Sequence, residues 1–259
     1  MVRRKTHQEY ATYFIRSYPT FELNSRSPGK VMTCPEIIRN RRGRQVRFEN
    51  FSQLHSEGKK LINGWFRRAW REFQATPDEV FEPFIFLWFA FNGWAACVTD
   101  TDKDFEIIDA LAVNQKINED FEVSLNDANS ELNTNATSFS QLLPIFDVKT
   151  LRQRVPYVPY ELGQDRAAHV RYYVEHGADR FQPQCWMRHI ESGEALPIDW
   201  LHVLKPIYKV RCNLFHGQKS AHSEMDQRIV SAAFLTLGHF LKEARYLDYR
   251  APGSRVNER

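Results

Sequence analysis

The sequence predicts an all-α fold, and three observations carry that prediction. Apolar residues recur at three- and four-residue spacing through most of the chain. Strand-like alternation is scarce, and helix-start and helix-stop residues bracket the periodic stretches. With 42% hydrophobic and 14% aromatic residues in 259, the chain can bury a sizeable core and does not have the composition of a disordered polypeptide. An all-α helical bundle follows, preceded by a basic, largely irregular N-terminal arm.

Residues 1–48 form the arm, with Pro19, Pro28, Gly29 and Pro35 as breakers. The helical domain spans 49–248. Within it, Leu54, Leu61, Ile62, Trp65, Phe66, Ala69, Trp70 and Phe73 predict a helix from Phe51 to Phe73. Thr76-Pro77-Asp78-Glu79 reads as the next start, with a hydroxyl cap, proline at the first helical position and acids in the first turn. That helix is expected to run to about Val98. Its apolar run, Phe84 to Cys97, is shorter than the roughly 18 residues of a membrane span. The run also carries Asn92 and Gly93, and so predicts a buried helix and no membrane segment.

A further helix is expected from Asp104 to about Leu125, with Phe105, Ile108, Leu111 and Ala112 on one face. The Asn/Ser/Thr-rich stretch from Ser124 to Phe139 reads as a loop. Residues 140–196 read as short helices interrupted by Pro144, Pro156, Pro159 and Pro183. Pro197-Ile198-Asp199-Trp200 starts another helix, carrying Leu201, Leu204, Ile207 and Tyr208, which Pro206 is expected to kink and Gly217 to stop. Ser223-Glu224-Met225-Asp226 resembles a capping box and launches the last long helix, through about Tyr246, with Val230, Ala233, Phe234, Leu237, Leu241 and Ala244 as its stripe. Residues 249–259 form a tail.

The net charge of +3 hides an asymmetry. Residues 1–75 hold 16 Lys/Arg against 6 Asp/Glu, whereas residues 76–131 hold 2 against 13. Arg39, Arg41, Arg42, Arg44 and Arg47 fall within nine residues. They form either a polyanion-binding patch, with Arg41, Arg42 and Arg44 as substrate contacts, or an arm that meets the chain's own acidic segment. Cys34, Cys97, Cys185 and Cys212 make no CxxC pair and no disulfide scaffold. The basic start Met1-Val2-Arg3-Arg4-Lys5 is not followed by an apolar signal region. A cytoplasmic protein with reduced thiols is the expectation.

The richest stretch for chemistry is Val210-Arg211-Cys212-Asn213-Leu214-Phe215-His216-Gly217. Arg neutralises a phosphate bidentately and keeps its proton, while His gives or takes one near neutral pH. In RNA the 2′-OH is an internal nucleophile, so an acid, a base and a cation suffice to break the phosphodiester without a metal. On a straight helix Asn213 and His216 share a face, whereas Arg211 lies about 140° from His216. One helix therefore does not present all three groups to one phosphate, and a twofold dimer that pools two copies would. The plainer reading is a surface ion pair and a boundary histidine.

Arg211-x4-His216 with a polar residue inside it resembles the signature of HEPN domains. Lys219, Ser220, Asp226 and Arg228, followed by a long amphipathic helix, resemble the continuation in prokaryotic members. Phe84-Ile85-Phe86-Leu87-Trp88-Phe89-Ala90-Phe91-Asn92-Gly93-Trp94 is similar to the family's aromatic early helix. The resemblance covers roughly 78–98 and 197–246 and leaves 99–196 as an insertion. It implies a HEPN-like antiparallel bundle of four to five helices, usually dimeric, and a metal-independent endoribonuclease of toxin–antitoxin or antiviral defence systems. Carried over, Arg211 holds the scissile phosphate, His216 is the general acid/base, Asn213 the polar helper, and Lys219 a substrate contact. RNA, a second copy and an antitoxin or defence-system protein are the implied partners, with no cofactor. Some toxin members have a tyrosine two residues after the histidine that a nucleotidyltransferase modifies; here Gln218 stands at that position. The alternative is an inactive HEPN-type module that binds RNA or a nucleotide, or only dimerises.

Other constellations carry less. Cys185-x3-His189 and Cys212-x3-His216 each place S and N one helical turn apart, and the four together would suit zinc; because Cys212 and His216 already belong to the other motif, no metal site is expected. Asp100-Thr101-Asp102-Lys103-Asp104 imitates a calcium loop but has Phe105 at the sixth position and Leu111 at the twelfth, which excludes an EF-hand. There is no phosphate-binding glycine loop. Trp65, Trp70, Trp88 and Trp94 at helical spacing are expected in the core, as are Phe51 and Phe73.

Overall fold

A computed structural model of the chain describes residues 44–76, 79–149, 165–220 and 223–249, all within the unit Cys34–Arg259. It begins with α1 (Phe48–Gln53) and α2 (Ser56–Ala75). The break between them falls at Leu54 and His55, where His55 Nδ1 accepts the Glu57 N–H. Phe66, Ala69, Trp70 and Phe73 of α2 are buried at i, i+3, i+4 and i+7 and face α3 (Phe81–Thr99) in the most extensive helix–helix contact of the described residues. Thr76 ends α2 instead of opening α3: its hydroxyl and its N–H both bond Glu72 O. The expected start at Pro77 thus moves to Phe81; Pro77 and Asp78 lie outside the described residues.

α3 is long and apolar enough to cross a membrane, with mean hydropathy 1.3 over 18 residues. More than half of that window is buried inside the protein, where it packs on α2, on α10 (Glu224–Glu243) and on α4 (Asp104–Ala112). This is the position of a core helix and fits a soluble protein. Trp70, Trp88 and Trp94 are buried as expected, together with Phe73, while Trp65 and Phe51 are half-buried at the core's margin.

The helix predicted from Asp104 to Leu125 is broken at Val113 and Asn114 into α4 and α5 (Gln115–Asn126). Asn114 caps α5 by accepting from Ile117 N at 3.0 Å, and Asn118 donates to the carbonyls of Ala112 and Asn114. Local side-chain bonds replace the helical ladder there. The stretch read as a loop contains α6 (Leu132–Ser140), whose Leu132, Ala136 and Phe139 bury one face against α10. Packing of that stripe overrides the poor helix propensity of its Asn, Ser and Thr residues.

A two-residue ladder, β1 (Ile145–Phe146) against β2 (Phe181–Gln182), is antiparallel. Around it lie α7 (Arg166–Glu175) and α8 (Trp186–Ser192). α9 (Trp200–Phe215) begins at Asp199, not Pro197, and continues through the buried Pro206. α10 (Glu224–Glu243) begins at Ser223, whose hydroxyl accepts from Asp226 N, and ends three residues before Tyr246. The class is all-α. Residues 99–149 are no appendage: Trp200 Nε1 donates to Leu111 O at 3.1 Å, and α4, α5 and α6 all contact α9.

Candidate functional site

The C-terminal end of α9 is closed as its glycine predicts. Gly217 has φ +64°, Gly217 N–H donates to Leu214 O at 3.0 Å, and Gln218 N–H donates to Asn213 O at 2.9 Å. This Schellman closure uses the last carbonyls of the helix and leaves His216 exposed at its end.

Arg211 lies on the opposite side, toward α3 and α4. Its Nη1 pairs with Asp104 Oδ2 at 2.9 Å, and its guanidinium lies 4.7 Å from the Phe215 ring, 5.5 Å from Trp88 and 6.0 Å from Tyr208. Its Nε is buried and makes no hydrogen bond. Trp88 stacks on Tyr208, whose phenol burial pushes well above its usual range, with Cys212 beside it adding to the effect. Aromatic faces and one carboxylate thus fix the cation in place. Beyond it, Phe215 meets Phe89 edge to face at 6.4 Å. Those two rings are 42% and 41% exposed, an apolar pair at the surface beside a cation.

Asn213 does not join them. It is buried, its Nδ2 donates to Phe146 O at 2.8 Å, and its Oδ1 accepts from Val148 N at 3.3 Å. The amide is turned to β1 and Val148 through both its nitrogen and its oxygen, so the expected face shared with His216 is not a shared surface. Lys219 is likewise taken: its Nζ is 2.5 Å from Asp226 Oδ1, with 6% of the side chain exposed, and Ser220 N–H donates to the other oxygen. The expected capping box is therefore half made, its acid serving the preceding turn. Arg44 pairs with Glu106 at 2.7 Å and donates to Asp100 O; its charge meets the acidic segment. Arg41 and Arg42 lie outside the described residues.

A second constellation is assembled at the other end of α9. Asp199 Oδ1 caps the helix by accepting from His202 N at 2.9 Å, and the same oxygen lies 2.7 Å from His202 Nδ1. His202 Nε2 is 3.1 Å from Cys185 Sγ. His189 brings a third ligand atom, and the three lie within 4.8 Å of one another. Burial, then the charges of His202 and Arg188, push the His189 imidazole below its ordinary value, favouring its neutral form. The structure thus keeps Cys185 and His189 together and leaves Cys212 and His216 out of the group. His202 was not legible as a partner: it stands among Leu201, Val203 and Leu204 with no ligand spacing to either residue. The one available signal was Asp199, an acid three residues before a histidine.

No family model, curated protein or solved structure matches the chain.

Proposed function

We propose that the chain is a HEPN-type, metal-independent endoribonuclease acting as a homodimer, a cytoplasmic toxin or antiviral-defence effector held in check by a partner protein. The observation that carries this reading is the end of α9. Arg211, with Nε unused, lies against Phe215 of the exposed Phe89–Phe215 pair, and the exposed His216 follows five residues on. Five residues are about 7.5 Å of helix rise and a turn of about 140°, so a phosphate gripped by one protomer's Arg211 reaches an acid/base group most directly across a twofold axis. The aromatic pair supplies an apolar surface for that contact.

In the reaction the 2′-OH gives up its proton to a base and attacks the adjacent phosphorus. Arg211 neutralises the equatorial oxygens, and His216 protonates the departing 5′-oxygen. The P–O5′ bond breaks and a 2′,3′-cyclic phosphate remains. Asn213 acts as a positioning residue that fixes β1 on α9 and touches no substrate.

Purified protein is expected to cut cellular RNA in EDTA and leave a cyclic phosphate or its opened monophosphate. Arg211→Ala and His216→Ala are each expected to abolish cutting while leaving the dimer intact. Retained cleavage in His216→Ala defeats the mechanism. A second reading is a module that binds RNA without cutting it, favoured by the ion pair that already occupies Arg211. RNA retention by a wild type that cuts nothing is its signature.

A further inference from the structure

We propose that Cys185, His189 and His202 form a zinc site that fastens α8 to the first turn of α9. One thiol and two imidazoles are the donor set of zinc among common ions, and unlike that of magnesium or calcium, which take oxygen. A tetrahedral zinc with Zn–S of about 2.3 Å and Zn–N of about 2.0 Å holds those two donors about 3.5 Å apart. Cys185 Sγ and His202 Nε2 are 3.1 Å apart, and all three ligand atoms fall within 4.8 Å of one another. Closing on an ion thus requires shifts of a few tenths of an ångström at that pair.

The surroundings are those of a metal site. An ionised carboxylate accepts only, so Asp199 at 2.7 Å from His202 Nδ1 puts the imidazole proton there and leaves the Nε2 lone pair aimed at Cys185. Such a carboxylate–histidine pair orients and strengthens a ligand. Cys185 and His202 are each 4% exposed.

A chain of ordinary hydrogen bonds from Cys185 through His202 to Asp199 accounts for two of the three residues. It leaves His189 Nδ1 buried with no hydrogen-bond partner, a cost that coordination of a metal through that nitrogen would remove. The same chain also has the order of a thiol nucleophile, its base and an orienting acid, but that use needs a sulfur a substrate can reach, and Cys185 is buried. The fourth position falls to water or to Glu194. The Glu194 carboxylate lies 3.8 Å from His189 Nδ1, and the Glu194 backbone N–H donates to His189 O at 2.9 Å. His202 is nine residues before Arg211, about 14 Å of helix rise, which separates this staple from the end of α9.

Full-length protein purified without chelator is expected to carry one zinc per chain. Its cobalt(II) form is expected to show a thiolate charge-transfer band in the near ultraviolet. Cys185→Ser is expected to abolish that band, and Cys212→Ser to leave it unchanged. His189→Gln changes the least buried ligand and, with its fold checked by circular dichroism, is expected to weaken zinc binding at least tenfold in competition with a chromophoric chelator. Asp199→Asn keeps a capping side chain and is expected to weaken binding about tenfold through the lost carboxylate. A folded wild type that binds neither zinc nor cobalt overturns the assignment, as does a thiolate band that survives Cys185→Ser. Unchanged affinity in folded His189→Gln does the same.

Discussion

At the scale of single residues, Asn213 joins two elements through one side chain. Its amide satisfies Phe146 O and Val148 N, both in places where an unpaired group is costly. Asn213→Ala is expected to lower stability by about 2 kcal/mol, or roughly 4–8 °C in melting temperature for a domain of this size. A loss below a few tenths of a kcal/mol would mean that water replaces the amide at both groups. The sequence showed that a polar residue stands inside the Arg–His motif, but not which way it points. Helical spacing gives an angle around the axis; it does not say which neighbour occupies that side. Here β1, brought in from far away in sequence, takes the place that solvent or substrate would have had.

At the scale of elements, the helices that were legible are those with long apolar stripes, and their ends were legible where a cap or glycine marks them. Ser223 and Gly217 are such ends. The helix α6 was hidden because its nine residues include six Asn, Ser or Thr with only a three-residue apolar face, and that face acquires meaning only against α10. Helix packing makes a paired prediction. A Cβ on Gly238 of α10 would come within 2.9 Å of Trp70 Cζ2, and Trp70 is wedged among Phe66, Phe73, Phe234 and His239. Overpacking of about 1–3 kcal/mol exceeds the propensity gain of about 0.8–1 kcal/mol from replacing glycine in a helix. Gly238→Ala is therefore expected to destabilise by about 1 kcal/mol. Gly64→Ala in α2, where a Cβ meets nothing within 4 Å, is expected to stabilise by about 0.5–1 kcal/mol. Urea midpoints that move in the same direction for both would refute the packing argument.

At the scale of the whole molecule, the charge asymmetry is partly an internal matter. Arg44 meets Glu106, and α9 sends Lys205 to Asp109, Lys209 to Asp147 and Arg211 to Asp104. The basic segment 1–75 meets the acidic segment 76–131 at Arg44–Glu106 and Arg68–Glu82, and α9, which belongs to neither, takes two more of the segment's acids, Asp104 and Asp109. The predicted homodimer belongs to this scale. If Phe89 and Phe215 form its apolar contact, Phe89→Asp is expected to give monomers by analytical ultracentrifugation and to remove RNA cleavage while leaving Arg211 and His216 in place. A Phe89→Asp protein that remains dimeric would locate the interface on another face.

On the proposed function, the ion pair between Arg211 and Asp104 sets the terms on which a phosphate binds at the end of α9. An incoming phosphate does not meet a bare cation; it exchanges with a carboxylate that the fold tethers in place and so presents at high effective concentration. Affinity there is the difference between two ion pairs, and a lone small anion gains little from the exchange. Under that proposal a chain of phosphates that reaches several contacts at once gains at each of them, so the tethered carboxylate would act as a filter for polymers over monomers.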